Sequence, residues 1–470
     1  MTISRISSKL RPLEGSLRMS RSPRLNRHLH GLNGPALADL YLLACSILLF
    51  GYALCGKGLA YVGIAPVYLG ELYLFFGLVT IVIGRAVGKC LREPKIWLLF
   101  VFSCWGAIRT VPYLDSYGVD ALRDAAIWGY SVFALIVAGL LLNSPHRLRH
   151  IIARFNWFCF LFPFLVTTIY AVSQLYPSMI PLLPGTNLPI FVFKPGDVLV
   201  HFAGIIVFLM VGLAQARLLL MVPILAGVGL FGSQGRGGLL SFAAVVILVS
   251  SLVPFKRSTL KFWALAVFGF VASGSVQLWE GEKSRATSVQ QVAENLVSIF
   301  SGEDSAAALA GTKRWRIAWW ETILGYTLYG EYFWSGRGFG PNLADEDGFQ
   351  VADDRSLRSP HSCHMTILAR SGVPGLLLWS AVHAVWAAAL LRAILRSRKR
   401  RELEWNKIFV FLLAYWLAAI INASFDVYLE GPMGAIWMWT IYGIGIAAIK
   451  IHRNSPELLT GRSRIGDSYA

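Results

Sequence analysis

Between Arg355 and Gly375 the segment RSLRSPHSCHMTILARSGVPG places His361 and His364 among Arg355, Arg358 and Arg370, where a polar stretch runs back into apolar sequence. Polar groups at a water–lipid boundary carry a free-energy cost and so raise a functional question. The plain alternative is interfacial anchoring, which also uses Arg, Lys and His. Further candidates lie elsewhere. Arg236 sits in GSQGRGG with no acid near it in sequence, and Arg314 and Arg316 sit in KRWRIAWW. Lys194 precedes Asp197, Arg123 adjoins Asp124, and Asp426 and Glu430 share the short segment SFDVYLEGP, where they are expected on one face.

Guanidinium groups beside an imidazole suit chemistry on a diphosphate. Planar forks neutralise its oxygens and stabilise charge developing on a departing pyrophosphate. An imidazole of near-neutral pKa takes the proton of an attacking hydroxyl. The glycines around Arg236 allow a tight reversal, and the helix that follows would offer N–H groups to an anion. Local pairing of Arg123 with Asp124 and of Lys194 with Asp197 is the bland reading of those cations.

Other chemistries fit less well. There is no GxSxG and no HExxH, and no carboxylates or thiolates cluster around His361 and His364 to complete a metal site. The acidic run DEDGFQVADD lacks the register of a calcium loop. Cys363, between the two histidines, has no second cysteine beside it and reads as inert rather than nucleophilic. No metal or cofactor is expected.

The elements that must position these groups are membrane helices. Of 470 residues, 56% are hydrophobic and only 15% charged, against about 25% charged in a soluble domain. Apolar runs of about 20 residues recur throughout, which predicts an all-α polytopic membrane protein rather than a barrel. The spans fall near 37–56, 67–84, 96–113, 121–143, 155–175 and 197–214, then 218–234, 238–254, 262–279, 365–391, 408–425 and 433–449. That is about twelve, with one large outside loop.

The net charge of +17 is explained by topology before nucleic acid. Arg5, Lys9, Arg11, Arg18, Arg21, Arg24 and Arg27 face only Glu14 in the first thirty residues, which have no apolar core and read as a disordered cytoplasmic tail. Further cations collect in 85–95, 147–154, 256–261 and 392–407, all on the same side if the N-terminus is inside. Both termini are then cytoplasmic. The chain divides into a basic tail (1–36), nine spans (37–279), a periplasmic loop (280–364), three spans (365–449) and a second tail (450–470). Within the loop, KRWRIAWWETILGYTLY predicts an amphipathic helix lying on the bilayer surface, its tryptophans at headgroup level.

The polar residues on that outer side resemble a known pattern. HSCHMTILARSGVPG fits H-[NSQ]-x9-G-x-x-G of the O-antigen ligase superfamily, with His361, Ser362, Gly372 and Gly375 at the defined places. RWRIAWW followed by GRGFG is similar to that family's arginine–tryptophan and G-x-G-x-G elements, and SQGRGG to its helix-end arginine. KPGDVLVHFAG and FDVYLEGP look like the branch found in polysaccharide-export loci, so the likeness covers roughly 190–435.

The resemblance implies a bacterial inner-membrane glycosyltransferase of the GT-C type. Such enzymes move glycan from undecaprenyl diphosphate, at the periplasmic face, to an acceptor hydroxyl on lipid A–core, a growing glycan or a protein, with neither metal nor nucleotide sugar. It further implies His361 as base or acceptor activator and Arg236 and Arg316 as diphosphate ligands, with Arg314 the fallback for the second. Lys194, Arg123, His364, Asp426 and Glu430 stand as supporting residues, and His364 is an addition to the motif. A twelve-span transporter or flippase without catalysis is the competing class, although the dissimilar halves and the one-sided polar groups speak against it.

Overall fold

The computed structural model describes residues 34–215, 218–253 and 307–459. The basic tail to residue 33, the span at 262–279, the loop stretch 280–306 and the tail from 460 lie outside the described residues.

Every other apolar interval forms a helix. Six helices are long and apolar enough to cross a membrane: Gly34–Cys55, Pro94–Tyr117, Arg147–Leu175, Cys363–Lys399, Leu403–Ala423 and Pro432–Asn454. A seventh crossing is available if Val119–Gly129 and Val132–Asn143, bent by 42°, act as one. The apolar helices Leu69–Ile83, Pro195–Met210, Leu219–Gly232 and Arg236–Leu252 are shorter. These segments are apolar on all sides, as helices surrounded by lipid or by one another must be. Proline at the first helical position starts Pro94–Thr110, Pro195–Met210 and Pro432–Asn454, where its missing N–H leaves nothing unpaired.

Pro432–Asn454 fills the centre of the bundle and is buried along almost its whole apolar length. It packs on Val132–Asn143 and Leu403–Ala423, while Pro195–Met210 packs on Arg236–Leu252. Large apolar side chains such as Ile47, Phe75, Trp97 and Trp157 face outward, as a lipid-bathed surface allows. At one end, charges are held locally: Arg147 bonds Asp39 at 2.6 Å, and Lys450 pairs with Glu93 at 2.9 Å.

At the other end Ala307–Leu328 packs against Cys363–Lys399. Trp319 is fully buried there with Ile323, Leu343, Ala344, Leu368 and Ala369, and its indole N–H donates to Asp347 at 2.7 Å. The tryptophan expected at the headgroup level is therefore a core residue. The face that looks amphipathic in sequence is used against protein.

Candidate functional site

The site begins with the break in Cys363–Lys399. Gly372 has φ 68° and ψ −173°, so the helix is interrupted after nine residues. An L side chain is strained at that positive φ, which is why glycine is needed here. The break frees backbone carbonyls, and the loop containing Gly336 and Gly338 takes them. Arg337 N–H donates to Ala369 O at 2.7 Å and Gly338 N–H to Arg370 O at 2.9 Å. The loop is thereby fixed against the same short half-helix that begins beside His361.

Three residues in the first turn of that half-helix hold the segment 424–430. The thiol of Cys363 lies 3.4 Å from Asp426 O, and Leu429 N–H donates to its sulfur at 3.3 Å. His364 Nε2 lies 3.0 Å from Ser424 Oγ, and the Thr366 hydroxyl donates to Glu430 at 2.8 Å. Cys363 is thus buried and engaged, in keeping with an inert thiol. Because 424–431 is not helical, Asp426 and Glu430 do not share a face. Glu430 turns into the protein, where burial raises its carboxyl above the usual range. Asp426 turns into a cavity.

That cavity, about 660 Å³, gathers Lys194, Arg236, Lys313, Arg316, His361 and Asp426 from five separated stretches of chain. The first turns of Pro195–Met210 and Arg236–Leu252 form part of its wall through Gly196, Gly237 and Gly238. A Cβ on Gly238 would lie 2.6 Å from Gly196 Cα, so the two helix starts approach this closely only because position 238 is glycine. Helix N-termini carry partial positive charge, and here two of them adjoin the same cavity. Arg236 is the first residue of its helix, as the glycine-rich reversal predicts.

Among the described residues lining the cavity, the only carboxylate, Asp426, is engaged. Lys194 Nζ lies 3.0 Å from Asp426 Oδ1, not on Asp197, whose carboxylate instead accepts from Asn422 at 3.1 Å. Burial alone would raise Asp426, but Lys194 and the Val427 N–H hold it below the usual carboxylate range. Burial alone would lower Lys194, and Asp426 and Asp197 outweigh it and raise it. Arg316 donates to Phe425 O at 2.9 Å. Among the described residues that line the cavity, Lys194, Arg236, Lys313 and Arg316 are cationic and Asp426 is acidic.

His361 has φ 53°, a left-handed conformation that non-glycine residues adopt at a cost and that recurs at functional sites. Its backbone is held from both sides. Trp320 donates to Pro360 O at 2.9 Å, and Ser362 caps the following helix through Met365 N–H. The His361 ring stands 6.2 Å from that of Trp315. Burial, reinforced by Arg316, lowers its pKa to about 4. The imidazole is therefore neutral at physiological pH.

The remaining candidates lie elsewhere. His364 does not line the cavity; its Nδ1 accepts from Trp379 at 3.0 Å. Arg314 is exposed and outside the cavity, one residue from a helical position that does reach it. Arg123 pairs with Asp120 at 3.7 Å and not with Asp124, because consecutive helical residues point apart. Asp124 is taken instead by Arg358 at 2.8 Å and by buried Arg370 at 2.9 Å. These contacts tie the Val119–Gly129 helix to the loop before His361 through Arg358 and to the half-helix after it through Arg370.

Sequence reasoning missed three participants: Gln234 and Asn422 in the cavity wall and Asp124 as the anchor of Arg358 and Arg370. Asn422 carried a readable signal, an amide near the end of the long apolar run that follows Lys407. Asp124 carried none, since its partners lie more than 200 residues away in the chain.

No curated protein matches the chain. Residues 219–380, which include Arg236, Arg316 and His361, match the family model described as O-Antigen ligase.

Proposed function

We propose that this protein transfers a glycan from a polyprenyl diphosphate, undecaprenyl diphosphate in bacteria, to an acceptor hydroxyl in the cavity around His361. The bundle would lie in the inner membrane with about twelve spans, both termini cytoplasmic and the cavity open to the periplasm. One observation carries the reading: Arg236, Arg316, Lys194 and a neutral imidazole, remote in sequence, line one cavity.

In the reaction, Arg236 and Arg316 hold the diphosphate, and Lys194 and Lys313 add positive charge. Neutral His361 accepts the proton of the acceptor hydroxyl as its oxygen bonds to the anomeric carbon. The bond from that carbon to the diphosphate oxygen breaks, and its electron pair leaves with the diphosphate. Developing negative charge is met by guanidinium groups and two helix N-termini already in place, which is the condition for electrostatic stabilisation of a leaving group. The acceptor is lipid A–core or a growing glycan.

A carrier would need polar groups along a path through the bundle. Here the centre is filled by the buried Pro432–Asn454 helix, which favours transfer at one face over passage. In cells, separate Arg236→Ala, Arg316→Ala and His361→Ala variants should insert normally and lose the surface glycan. Normal glycan in all three would contradict the proposal.

A further inference from the structure

A second charged pocket lies at the far end of the Cys363–Lys399 helix. From Val373, just past the break, to Arg392 the helix rises about 29 Å, so the pocket sits across the bundle from His361. It has a volume of about 260 Å³, and three helices turn Lys95, Arg392, Arg396 and Arg453 into it. Lys95 lies within electrostatic reach of Glu93 and, beyond it, of Arg453, Arg392 and Lys450.

The neighbouring acids do not neutralise this group. Glu93 is paired with Lys450 at 2.9 Å, and Glu402 with His452 at 2.5 Å. Among the described residues, none of Lys95, Arg392, Arg396 and Arg453 forms an ion pair with an acid; the Arg392 Nε donates only to Ala388 O of its own helix. Like charges facing one concavity repel, and an anion there relieves the repulsion.

The pocket is also half apolar. Val385 and Ala389 precede Arg392 and Arg396 at helical spacing, so they form one stripe whose lower part is aliphatic and whose upper part is cationic. Ile449 adds to the aliphatic wall. Cations that only mark a membrane surface would spread around their helices. These converge from three helices on one concavity, next to a wall fit for hydrocarbon.

We infer that this pocket seats the phosphate headgroup of an anionic phospholipid, with the start of an acyl chain against Val385 and Ala389. Charge complementarity selects the anion, and the aliphatic wall selects a lipid over free phosphate. Basic pockets between membrane helices bind anionic headgroups in this way, at about fivefold in affinity per cation. The inference does not depend on the transfer reaction, because its readout is lipid affinity.

The test uses full-length protein in a neutral detergent, titrated with phosphatidylglycerol, phosphatidylcholine or inorganic phosphate while melting temperature and lipid retention are measured. Phosphatidylglycerol should stabilise the protein saturably, and the other two should not. A Lys95→Gln, Arg396→Gln, Arg453→Gln variant should bind it about a hundredfold more weakly. If that variant does not fold, Arg396→Gln alone, at an exposed position, should weaken binding about fivefold. Equal stabilisation by phosphatidylcholine or by phosphate alone, or unchanged affinity in the variants, would overturn the inference.

Discussion

Trp379 donates its indole N–H to Nδ1 of His364 at 3.0 Å. With Nδ1 accepting, the proton of a neutral His364 lies on Nε2, which faces Ser424 Oγ at 3.0 Å. One ring nitrogen is thus held by Trp379 of the same long helix, and the other fastens Ser424 of the 424–430 segment. Three residues away, His361 has its ring in the cavity.

The two histidines should therefore separate cleanly on substitution. His361→Gln should reduce kcat by about 10²- to 10⁴-fold, the usual contribution of a positioned acid or base, with little change in melting temperature. His364→Gln should lower stability by about 1–3 kcal/mol through a broken buried pair while keeping most of the turnover. Thermal unfolding and a transfer assay on both variants check this. The reverse pattern would move the chemistry to His364.

The arginines give a second contrast. Arg236 and Arg316 line the cavity and Arg314 does not. Loss of one preorganised charge at a leaving group costs about 10²- to 10³-fold in kcat, so Arg236→Ala and Arg316→Ala should fall by that much and Arg314→Ala by less than about threefold. Arg236→Lys should restore only part of the rate, because an ammonium lacks the planar fork. Steady-state kinetics on the four variants decide it.

The pH dependence follows from the direction of the His361 shift. Its pKa is about 4 in the folded protein, below the ordinary value of about 6.5. The unfolded chain therefore binds the proton first as pH falls. The contribution of neutral His361 to folding is complete above about pH 6.5 and is lost as pH falls towards 4. In the free enzyme, kcat/KM should show no loss from His361 protonation between pH 7 and 5. A bound diphosphate brings negative charge and should raise this pKa, so binding near pH 5 should take up protons. Calorimetry in two buffers of different ionisation enthalpy measures that uptake, and proton release would contradict it.

Close packing supplies a fourth prediction. Gly238→Ala would set a Cβ 2.6 Å from Gly196 Cα, an atom of backbone that cannot rotate away. The two helix starts should separate, with a stability loss of about 1–3 kcal/mol and a larger loss of transfer than of folding. Gly229→Ala, with open space around its added Cβ, is the control and should leave transfer unchanged.

Much of this architecture was readable in the chain. Apolar intervals predicted every described span, and the glycines beside Arg236 predicted a helix start there. His361 and His364 stood out together as polar residues running into apolar sequence, and only the resemblance separated them. What the chain could not reveal is which polar residues meet across it. Arg123 and Asp124 are adjacent in sequence yet point apart, whereas Asp124 finds Arg358 and Arg370 through folding alone. Asp426 and Glu430 looked equivalent by spacing, but the first turn of the Cys363 helix turns one into the cavity and the other into the protein. The tryptophans of Ala307–Leu328 followed an interfacial pattern because burial against lipid and burial against protein impose the same periodicity.

The central claim is that one cavity holds a lipid diphosphate and activates an acceptor hydroxyl. Its most direct test is transfer in liposomes containing only the purified protein, an undecaprenyl diphosphate-linked glycan and lipid A–core or glycan acceptor, with no ion gradient and no nucleotide. Glycan should pass to the acceptor with release of undecaprenyl diphosphate, and His361→Ala should stop it while still binding the donor. Equal transfer by wild type and His361→Ala, or no product from a folded wild-type protein with either acceptor, would contradict the account.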